Sequence, residues 1–248
     1  MENEPISGLK GLVEAGLELF YPAVCQICGE ERATPKEGFV GAICRENVHF
    51  ITPPFCTRCG LPPMGEVTND FVCANCRDIE FYFSSARAAV LADSFMLDII
   101  HRYKYQHHLY FEPFLAELLL KQALPALGDS NWDMVVPVPL HPTKEREREF
   151  NQAERLGAHL ARALGIPVNK RIIQRVVSTQ TQTRLTRKER AKNMESAFAP
   201  FPGIRIDGLR VLLVDDVMTT GATTNGCAKV LHEIGAAEIR VWTVARGL

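Results

Sequence analysis

The segment Val211–Thr224, VLLVDDVMTTGATT, constrains the fold of this chain more than any other stretch. The apolar run Val211–Val214 predicts a buried strand, because it is too short for a helix and rich in β-branched side chains. Asp215 and Asp216 follow at its carboxyl end, and a turn rich in Thr and Gly then leads into apolar residues at helical spacing. A strand, turn and helix of this kind gather backbone N–H groups at the positive end of a helix dipole, which favours a phosphate. The two carboxylates are acceptors that a sugar diol could use.

Other kinds of phosphate loop fit this segment less well. Gly221 and Gly226 have the spacing of a Walker loop, but Cys227 and Ala228 stand where that loop has Lys and Ser or Thr. No G-x-G-x-x-G follows a strand in this chain, which argues against a dinucleotide site. The remaining alternative is an ordinary strand-to-helix turn in which the aspartates cap the helix, although one Asp would be enough for that.

Apolar patterns after residue 77 alternate between strand and helix spacing. This alternation predicts an α/β fold with a doubly wound, mostly parallel sheet, whose ligands sit at the carboxyl ends of the strands. Besides Val211–Val214 and the helix that follows it, we predict strands over Ala86–Ala92, Met134–Val138, Ile172–Val177 and Ile239–Ala245, and helices over Leu97–Tyr105, Pro113–Ala123 and Ala153–Leu164.

Two polar segments follow predicted strand ends. The first, VPVPLH at 136–141, turns into KEREREFNQ at 144–152. The second, 175–198, is long and basic, and a loop of that length in a compact domain is usually functional or disordered. A mobile lid that closes over a charged substrate is one functional version. Its candidate residues, too hydrophilic for a core, are Gln182, Arg187, Arg190 and Asn193.

Seven of the eight cysteines fall within residues 25–76. The pairs Cys56/Cys59 and Cys73/Cys76 form C-x2-C-x13-C-x2-C, and two such pairs supply four thiolates to one structural Zn²⁺. Disulfides are the alternative, but the segment at 6–20 has no basic leader or cleavage site, so we expect a reducing, cytoplasmic setting. We therefore predict a structural zinc site in this second group.

The first cysteine group is less regular. Cys25, Cys28 and Cys44 offer three thiolates, and Asn47 stands where a fourth Cys would be expected. His49 is a candidate fourth ligand that would make a Cys₃His site, although its spacing is unusual. A ribbon without metal is the alternative.

The charge of the chain is unevenly distributed. Its net charge is −1, but the stretch from His141 to Asn193 has 13 Lys and Arg against 5 Glu, a local balance of +8. Such a stretch could hold a polyphosphate, bind a nucleic-acid backbone or form a solvated helical face. No apolar run reaches about 18 residues, so we predict no membrane span. The predicted organisation is an N-terminal amphipathic helix at 1–22, a double zinc ribbon at 23–78 and an α/β domain at 79–248.

These motifs, in this order along the chain, resemble those of known protein families. VLLVDDVMTTGAT resembles the phosphoribosyl-diphosphate (PRPP) motif of type I phosphoribosyltransferases. Together with the cysteine pairs, VPVPL, FNQAE and Q-x-x-L-x-x-x-x-R-x-x-N, it resembles the ComF/ComFC (GntX-like) family of competence proteins over nearly the whole chain. Two positions depart from the family pattern, since Glu149 stands where a Gly usually precedes Phe-Asn-Gln, and Asn47 replaces a ribbon cysteine.

The resemblance implies a type I phosphoribosyltransferase-like fold that binds PRPP with Mg²⁺. Asp215 and Asp216 would be the catalytic pair, reaching the ribose hydroxyls directly or through Mg²⁺. The 5′-phosphate would be held by the turn residues, and the pyrophosphate would face the 136–141 turn and nearby cations. These candidate PRPP residues are Thr219, Thr220, Gly221, Ala222 and Thr223, with Pro139, Leu140, His141, Lys144 and Arg148.

Two functions stay open at this point. The first is pentosyl transfer from PRPP, with no residue singled out to activate an acceptor base. The second is a non-catalytic competence factor of the DNA-uptake machinery that binds single-stranded DNA and uses PRPP as a regulatory ligand. The basic stretch and the zinc ribbons would form its groove, with stacking aromatics nearby such as Tyr103, Tyr105 and Phe150, although such aromatics more often belong to a core.

Overall fold

A computed structural model describes residues 23–128, 130–177 and 196–248. The predicted N-terminal helix at 1–22 therefore lies outside the described residues. So do the four candidate lid residues Gln182, Arg187, Arg190 and Asn193.

The centre of the molecule is a four-stranded parallel sheet in the order β1–β6–β5–β2. A separate antiparallel pair, β3 and β4, stands on either side of residues 178–195. The strands are β1 (Ser85–Leu91), β2 (Met134–Pro137), β3 (Ile173–Arg175), β4 (Phe198–Pro200), β5 (Arg210–Met218) and β6 (Glu238–Arg246).

Seven α-helices are described. Two are single turns in the cysteine-rich part, and the others connect or follow the strands of the sheet. They are α1 (Ala42–Arg45), α2 (Ala74–Arg77), α3 (Ser94–Tyr105), α4 (Glu112–Leu127), α5 (Pro142–Arg148), α6 (Gln152–Leu164) and α7 (Ala222–Glu233). Among the described residues, no helix is long and apolar enough to cross a membrane.

The sheet is covered on both faces, as the unbroken apolar run of β5 requires. Leu212 and Val214 join the core formed with α3, α4 and α6. Val211 and Leu213 join the opposite core, which contains the apolar side of α7. The predicted doubly wound, parallel α/β fold is confirmed.

The β5 strand is longer than its apolar run predicts. Its pairing with β2 ends at Val214, but its pairing with β6 continues to Met218. Asp215 and Asp216 therefore lie inside the strand, beyond the last residue of β2. Hydrogen bonding to the longer neighbour extends the strand past the point at which its apolar pattern stops.

The two cysteine groups pack against the α/β part at the edge formed by β1. Residues 49–51 run antiparallel to β1, with Ile51 N–H donating to Ala89 O (3.0 Å) and Leu91 N–H donating to His49 O (2.9 Å). Gly60 adopts φ +67°, and a Cβ there would lie 2.8 Å from the carbonyl oxygen of Ala86. The turn at Gly60 therefore lies directly against the backbone of β1, which only glycine permits.

Candidate functional site

The two turns predicted to hold PRPP meet at one edge of the sheet. The turn at 138–141 follows β2 and the turn at 219–221 follows β5, and these strands are parallel neighbours. Val138 N–H donates to Val214 O (2.9 Å), which joins the first turn to the last residue before the aspartates. The carboxyl edge of the sheet therefore carries both segments, as a ligand site in an open α/β sheet requires.

The phosphate loop, residues 219–224, is built around Gly221. Gly221 caps α7 with φ +78°, and a Cβ at this position would lie 2.7 Å from the Met218 methyl group. The Thr224 hydroxyl donates to Gly221 O (3.1 Å), which closes the turn. Among the described residues, the N–H groups of Gly221, Thr223 and Thr224 have no acceptor, so they remain available to an anion at the start of this 12-residue helix.

The phosphate loop is anchored from behind by Asn225. Its side-chain oxygen accepts from Tyr82 N–H (2.9 Å), and its amide nitrogen donates to Glu80 O (2.9 Å). Both partners lie in the segment between the second cysteine group and β1. The start of α7 is therefore fixed to the chain that leaves the metal-ligand region.

The two aspartates turn to opposite faces of the sheet, because side chains alternate along a strand. Asp216 is 6% exposed and forms an ion pair with Lys104 of α3, with a distance of 2.7 Å between Nζ and Oδ2. Asp215 lies on the α7 face, where its charge acts on Cys227 and Arg175. Asp216 therefore has a preformed cationic partner, which sequence reasoning did not find.

Asp215 is partly buried and is difficult to ionise. Removal from water and the adjacent charge of Asp216 together raise the pKa of Asp215 to about 8, although Lys104 acts in the opposite direction. The Asp215 carboxyl is therefore largely protonated at neutral pH. A carboxyl group whose pKa is raised in this way by burial and a neighbouring charge is typical of a functional site.

The turn after β2 is held by Asn151 of the FNQAE motif. Asn151 is buried, its amide nitrogen donates to Val138 O (3.0 Å), and its oxygen caps α6 by accepting from Ala153 N–H (3.0 Å). His141 caps α5 through Nδ1, which accepts from Thr143 N–H (3.3 Å). Pro139, Leu140 and His141 are half-buried. The motif thus sets the shape of the turn.

The predicted cations differ in their surroundings. Lys144 is exposed and pairs with Glu147 (2.8 Å), so it has a partner on its own helix. Arg148 is half-buried, donates to the Gln152 side chain (3.1 Å) and to the Tyr105 hydroxyl (2.8 Å), and its Nε has no acceptor among the described residues. Gln152 is 1% exposed, and its amide nitrogen also lacks a described acceptor. Arg148 is therefore the better placed of the two cations.

Sequence reasoning missed two cations at this edge. Lys104 lies in the last turn of α3, where no motif marks it, and only the fold brings it to Asp216. Arg175 ends β3 and lies over the ring of Phe198, with 5.6 Å between its guanidinium carbon and the ring centre. Arg175 stands inside the predicted strand Ile172–Val177, and no motif marks it.

The second cysteine group forms a compact cluster. The thiols of Cys56, Cys59, Cys73 and Cys76 are buried and lie within 4.8 Å of one another. The Cys59–Cys73 and Cys73–Cys76 sulfur distances are 3.7 and 3.5 Å, near the roughly 3.8 Å edge of a ZnS₄ tetrahedron with 2.3 Å bonds. Cys73 N–H donates to the Cys56 sulfur (3.3 Å). The donor set fits a closed zinc site.

The first group gathers Cys25, Cys28 and Cys44 around Glu31 rather than His49. The Glu31 carboxylate also accepts from Ile43 N–H and Cys44 N–H, each at 2.9 Å. His49 instead contacts Asp93, with 2.6 Å between Nδ1 and Oδ2, so the structure places Glu31, and not the expected His49, beside the three thiols. Glu31 follows Cys28 by three residues, and this short spacing was the available signal.

All eight cysteines lie in the described part of the chain, and none of them is in a disulfide. Cys227 is fully buried beside Asp215, and burial raises its pKa well above the usual thiol value. It is therefore a packed side chain and not an activated thiol.

Two family models match this chain. A double zinc ribbon domain matches residues 16–77, and a phosphoribosyl transferase domain matches residues 152–248. The first match spans both cysteine clusters. The second begins at Gln152 and includes the phosphate loop and both aspartates.

Relatives match over most of the chain. Competence protein F of Haemophilus influenzae is 32% identical over 225 residues, which is 82% of this chain and 95% of that protein. DNA utilization protein YhgH of Escherichia coli K12 is 27% identical and covers 98% of this chain and 99% of its own length. Competence protein ComFC of Bacillus subtilis is 26% identical over 82% of each chain. Among solved structures, an adenine phosphoribosyltransferase of Saccharomyces cerevisiae matches with a TM-score of 0.38 and 14% identity, over 68% of this chain and 82% of that one.

Proposed function

This chain belongs to the ComF family of competence proteins, with a double zinc ribbon and a phosphoribosyltransferase domain, and on that premise we propose that it binds PRPP with Mg²⁺ and takes part in the uptake and use of DNA. The printed names of its relatives support the second part. We further propose a reducing cytoplasmic setting, which fits eight cysteines without a disulfide.

One observation carries the PRPP proposal. The N–H groups at the start of α7 are available to an anion and lie at the carboxyl edge of the sheet, next to Asp216 and to Asp215, whose pKa is raised. A 5′-phosphate fits the positive end of the helix, and carboxyl oxygens beside it can accept from ribose hydroxyls. In this arrangement Thr219–Thr223 hold the phosphate and Asp215 receives the sugar.

Asp216 differs from Asp215 in its proposed role, because the ammonium group of Lys104 already neutralises its charge. An arriving pyrophosphate offers Lys104 a more strongly charged partner, and that exchange leaves Asp216 oxygens for the ribose. Arg148, with its unpaired Nε, and Arg175 supply further positive charge at the same edge. Mg²⁺, when bound, would neutralise the pyrophosphate as it leaves, and carboxylate oxygens such as those of Asp215 suit that ion.

Titration calorimetry on the full chain tests this proposal with PRPP, ribose 5-phosphate and inorganic phosphate, with and without Mg²⁺. We expect Mg²⁺-dependent binding of PRPP, and we expect Asp215→Asn to weaken PRPP binding about tenfold while it changes phosphate binding little, since an amide replaces a carboxyl oxygen that would accept from the ribose or bind Mg²⁺. Asp98→Asn, on the exposed side of α3, is the matched control. Equal binding of PRPP by the parent and by Asp215→Asn would mean that the aspartate is not a ligand.

Asp216→Ala is a poor test of binding, although both aspartates are proposed ligands. Asp216 is buried against Lys104, so truncation leaves a buried ammonium group unpaired, at a cost of about 3–5 kcal/mol of stability. Asp216→Asn combined with Lys104→Met removes both charges and keeps the volume. We expect this double variant to fold and to lose PRPP affinity.

Single-stranded DNA binding is the second candidate function, and Tyr105 favours it. Tyr105 is 54% exposed, its ring lies 4.5 Å from the Arg148 guanidinium carbon, and the His101 ring lies 4.9 Å away. Tyr103 is fully buried and Phe150 is half-buried against it, so these two rings belong to the core. An exposed aromatic ring beside an arginine is a platform on which a base could stack.

A salt titration of single-stranded DNA binding, run beside pyrophosphate release from PRPP over a panel of bases, separates the two functions. Pyrophosphate release with any base supports pentosyl transfer. Steep salt dependence without release supports the binding protein, and there Tyr105→Ala should cost about 1–3 kcal/mol. Tyr105→Phe, which keeps the ring, is the control.

A further inference from the structure

Arg246, the last residue of β6, is 3% exposed and lies between the second cysteine cluster and the phosphate loop. On one side its guanidinium group donates to the carbonyl oxygen of Cys59 (3.2 Å) and to the sulfur of Cys59 (3.6 Å). On the other side it donates to Met218 O (3.1 Å) and to Thr219 O. One side chain thus touches a candidate zinc ligand and the first residue of the phosphate loop.

The charge of Arg246 requires a partner. Among the described residues no carboxylate lies within ion-pair distance of it, and a buried cation without an opposite charge is strongly unfavourable. Four ionised thiolates around Zn²⁺ carry a net charge of −2. The second cluster, loaded with zinc, is therefore the counter-charge that suits this position, and N–H donation to a ligand sulfur is how proteins commonly support such clusters.

The surrounding backbone makes the connection stiff. Gly247 N–H donates to Met218 O (2.9 Å), and a Cβ at Gly247 would lie 3.1 Å from the Thr219 methyl group. On the cluster side, Ala86 N–H donates to Arg58 O (2.8 Å), which fixes the Cys56–Gly60 turn to β1. A movement of Cys59 should therefore displace Thr219 through Arg246, because the backbone on both sides is held by hydrogen bonds.

We propose that Arg246 is a positioning residue through which zinc in the second cluster holds the phosphate loop in its binding shape. With zinc bound, Cys59 is fixed and charged, Arg246 stays between its acceptors, and the carbonyls of Met218 and Thr219 keep the start of the loop in place. Without zinc, Cys59 is no longer held in place, Arg246 loses the charged cluster beside it, and the loop loosens. The functional meaning of this coupling rests on the proposed PRPP site, but the coupling itself does not.

Hydrogen exchange on the full chain, measured by mass spectrometry before and after chelation of zinc, tests the proposal without a ligand. The reporting peptides span the end of β5 and the first turn of α7, where Asn225 N–H donates to Gly221 O (2.8 Å). We expect chelation to speed exchange there about tenfold in the parent, which is in the range of ordinary coupling between sites. In Arg246→Lys, which keeps a charge but not the planar set of donors, exchange should be fast already and should change little on chelation.

Two control variants make the result specific. Arg210→Lys alters an arginine at the other end of the sheet, where Arg210 pairs with Glu238, so it should behave like the parent. Cys28→Ser disables the first cluster only, and chelation should still speed exchange in the phosphate loop. Unchanged loop exchange after zinc leaves the parent would overturn the proposal, and that arm needs no substitution at Arg246.

PRPP titration of the same samples keeps the two proposals separate. Faster loop exchange without zinc, in a parent that binds no PRPP, supports the coupling and contradicts the proposed function. PRPP binding that chelation leaves unchanged, with unchanged loop exchange, contradicts the coupling and supports the function. If both proposals hold, loss of zinc should weaken PRPP binding about tenfold in the parent and much less in Arg246→Lys.

Discussion

Asp215 shows how a single side chain can make stability and binding depend on pH. Its ordinary pKa is 3.8, and burial beside Asp216 raises the pKa to about 8 in the folded chain. Between those values the folded state holds a proton that the unfolded state releases. The free energy of unfolding contributed by this group therefore falls as pH rises from about 4 to about 8.

Removal of the Asp215 carboxyl should therefore change how the free energy of unfolding depends on pH. Asp215→Asn, which cannot ionise, should flatten the decline in unfolding free energy between pH 4 and pH 8 and should be more stable than the parent above pH 8. Urea unfolding at a series of pH values measures this, with Asp98→Asn as a control whose slope should match the parent. If the free energy of unfolding varied with pH in the same way in the parent and in Asp215→Asn, the pKa of Asp215 would not be raised in the folded chain.

The backbone conformation of Glu149 should lower the stability of the folded chain, and this can be tested. It adopts φ +62° at the end of α5, in the left-handed region that glycine prefers, and it stands where the family resemblance expects Gly. Glu149→Gly should raise the free energy of unfolding by about 1 kcal/mol, because the strain of a left-handed side chain is released. Gly165→Ala, at φ +69° after α6, makes the reverse change at a similar helix end and should lower stability by a similar amount.

Chemical denaturation of both variants checks this prediction. A Glu149→Gly protein less stable than the parent would mean that contacts of Glu149, such as its 3.9 Å approach to His107, outweigh the backbone strain.

At the level of elements, the two cysteine ribbons give separate predictions. Cys73→Ser combined with Cys76→Ser should remove one zinc ion per chain, because two of the four thiolates of the second cluster are lost. Metal analysis measures it. Zinc content equal to that of the parent would contradict the assignment of this cluster.

The first ribbon depends on Glu31. We expect Glu31→Cys to keep zinc and Glu31→Ala to lose it, because the carboxylate is the fourth group beside three thiols. Gly41 supports this arrangement, since a Cβ there would lie 2.1 Å from the Glu31 side chain. Equal zinc content in Glu31→Ala and the parent would mean that Glu31 is not a zinc ligand and only accepts hydrogen bonds from the backbone N–H groups of α1.

The sequence predicted most of the elements but not their ends or their partners. Periodic apolar runs such as Met134–Val138 carry their own signal, and β2 is found at Met134–Pro137. The short strand β4 was not predicted, since three residues show no period, and only its first residue, Phe198, lay in the predicted polar segment 175–198. Helix α5 was missed because its Lys, Arg and Glu residues give no apolar stripe.

In the candidate site, too, only features that are local in sequence could be predicted. The phosphate loop is local in sequence, so a motif can mark it. Lys104, Glu31 and Arg246 act through contacts between residues far apart or through irregular spacing, and Arg246 meets Cys59 across 187 positions. Only the fold brings such pairs together, as it does for Lys104 and Asp216.

At the scale of the whole molecule, the ribbons share their cores with the α/β part. Cys25, Val40 and Cys44 pack in one core with Phe114, and Cys56 packs in the other core. Arg45 of the first ribbon also lies over the Phe114 ring (4.9 Å) and pairs with Glu117 (2.8 Å). The predicted boundary between 23–78 and 79–248 therefore does not separate two independent cores.

Calorimetric unfolding should accordingly show one transition, and chelation of zinc should shift that whole transition to lower temperature by several degrees. The reason is that the ribbon cannot melt without exposing the edge of the sheet. Two separated transitions, with only the first sensitive to chelation, would contradict a shared core.

A crystal structure of the full chain with PRPP and Mg²⁺ tests the proposed site most directly. We expect the 5′-phosphate at the start of α7, within hydrogen-bond distance of the N–H groups of Gly221–Thr224, with the ribose beside Asp215 and the pyrophosphate toward the 138–141 turn. PRPP bound elsewhere, or a phosphate loop that stays empty at saturating PRPP, would contradict it.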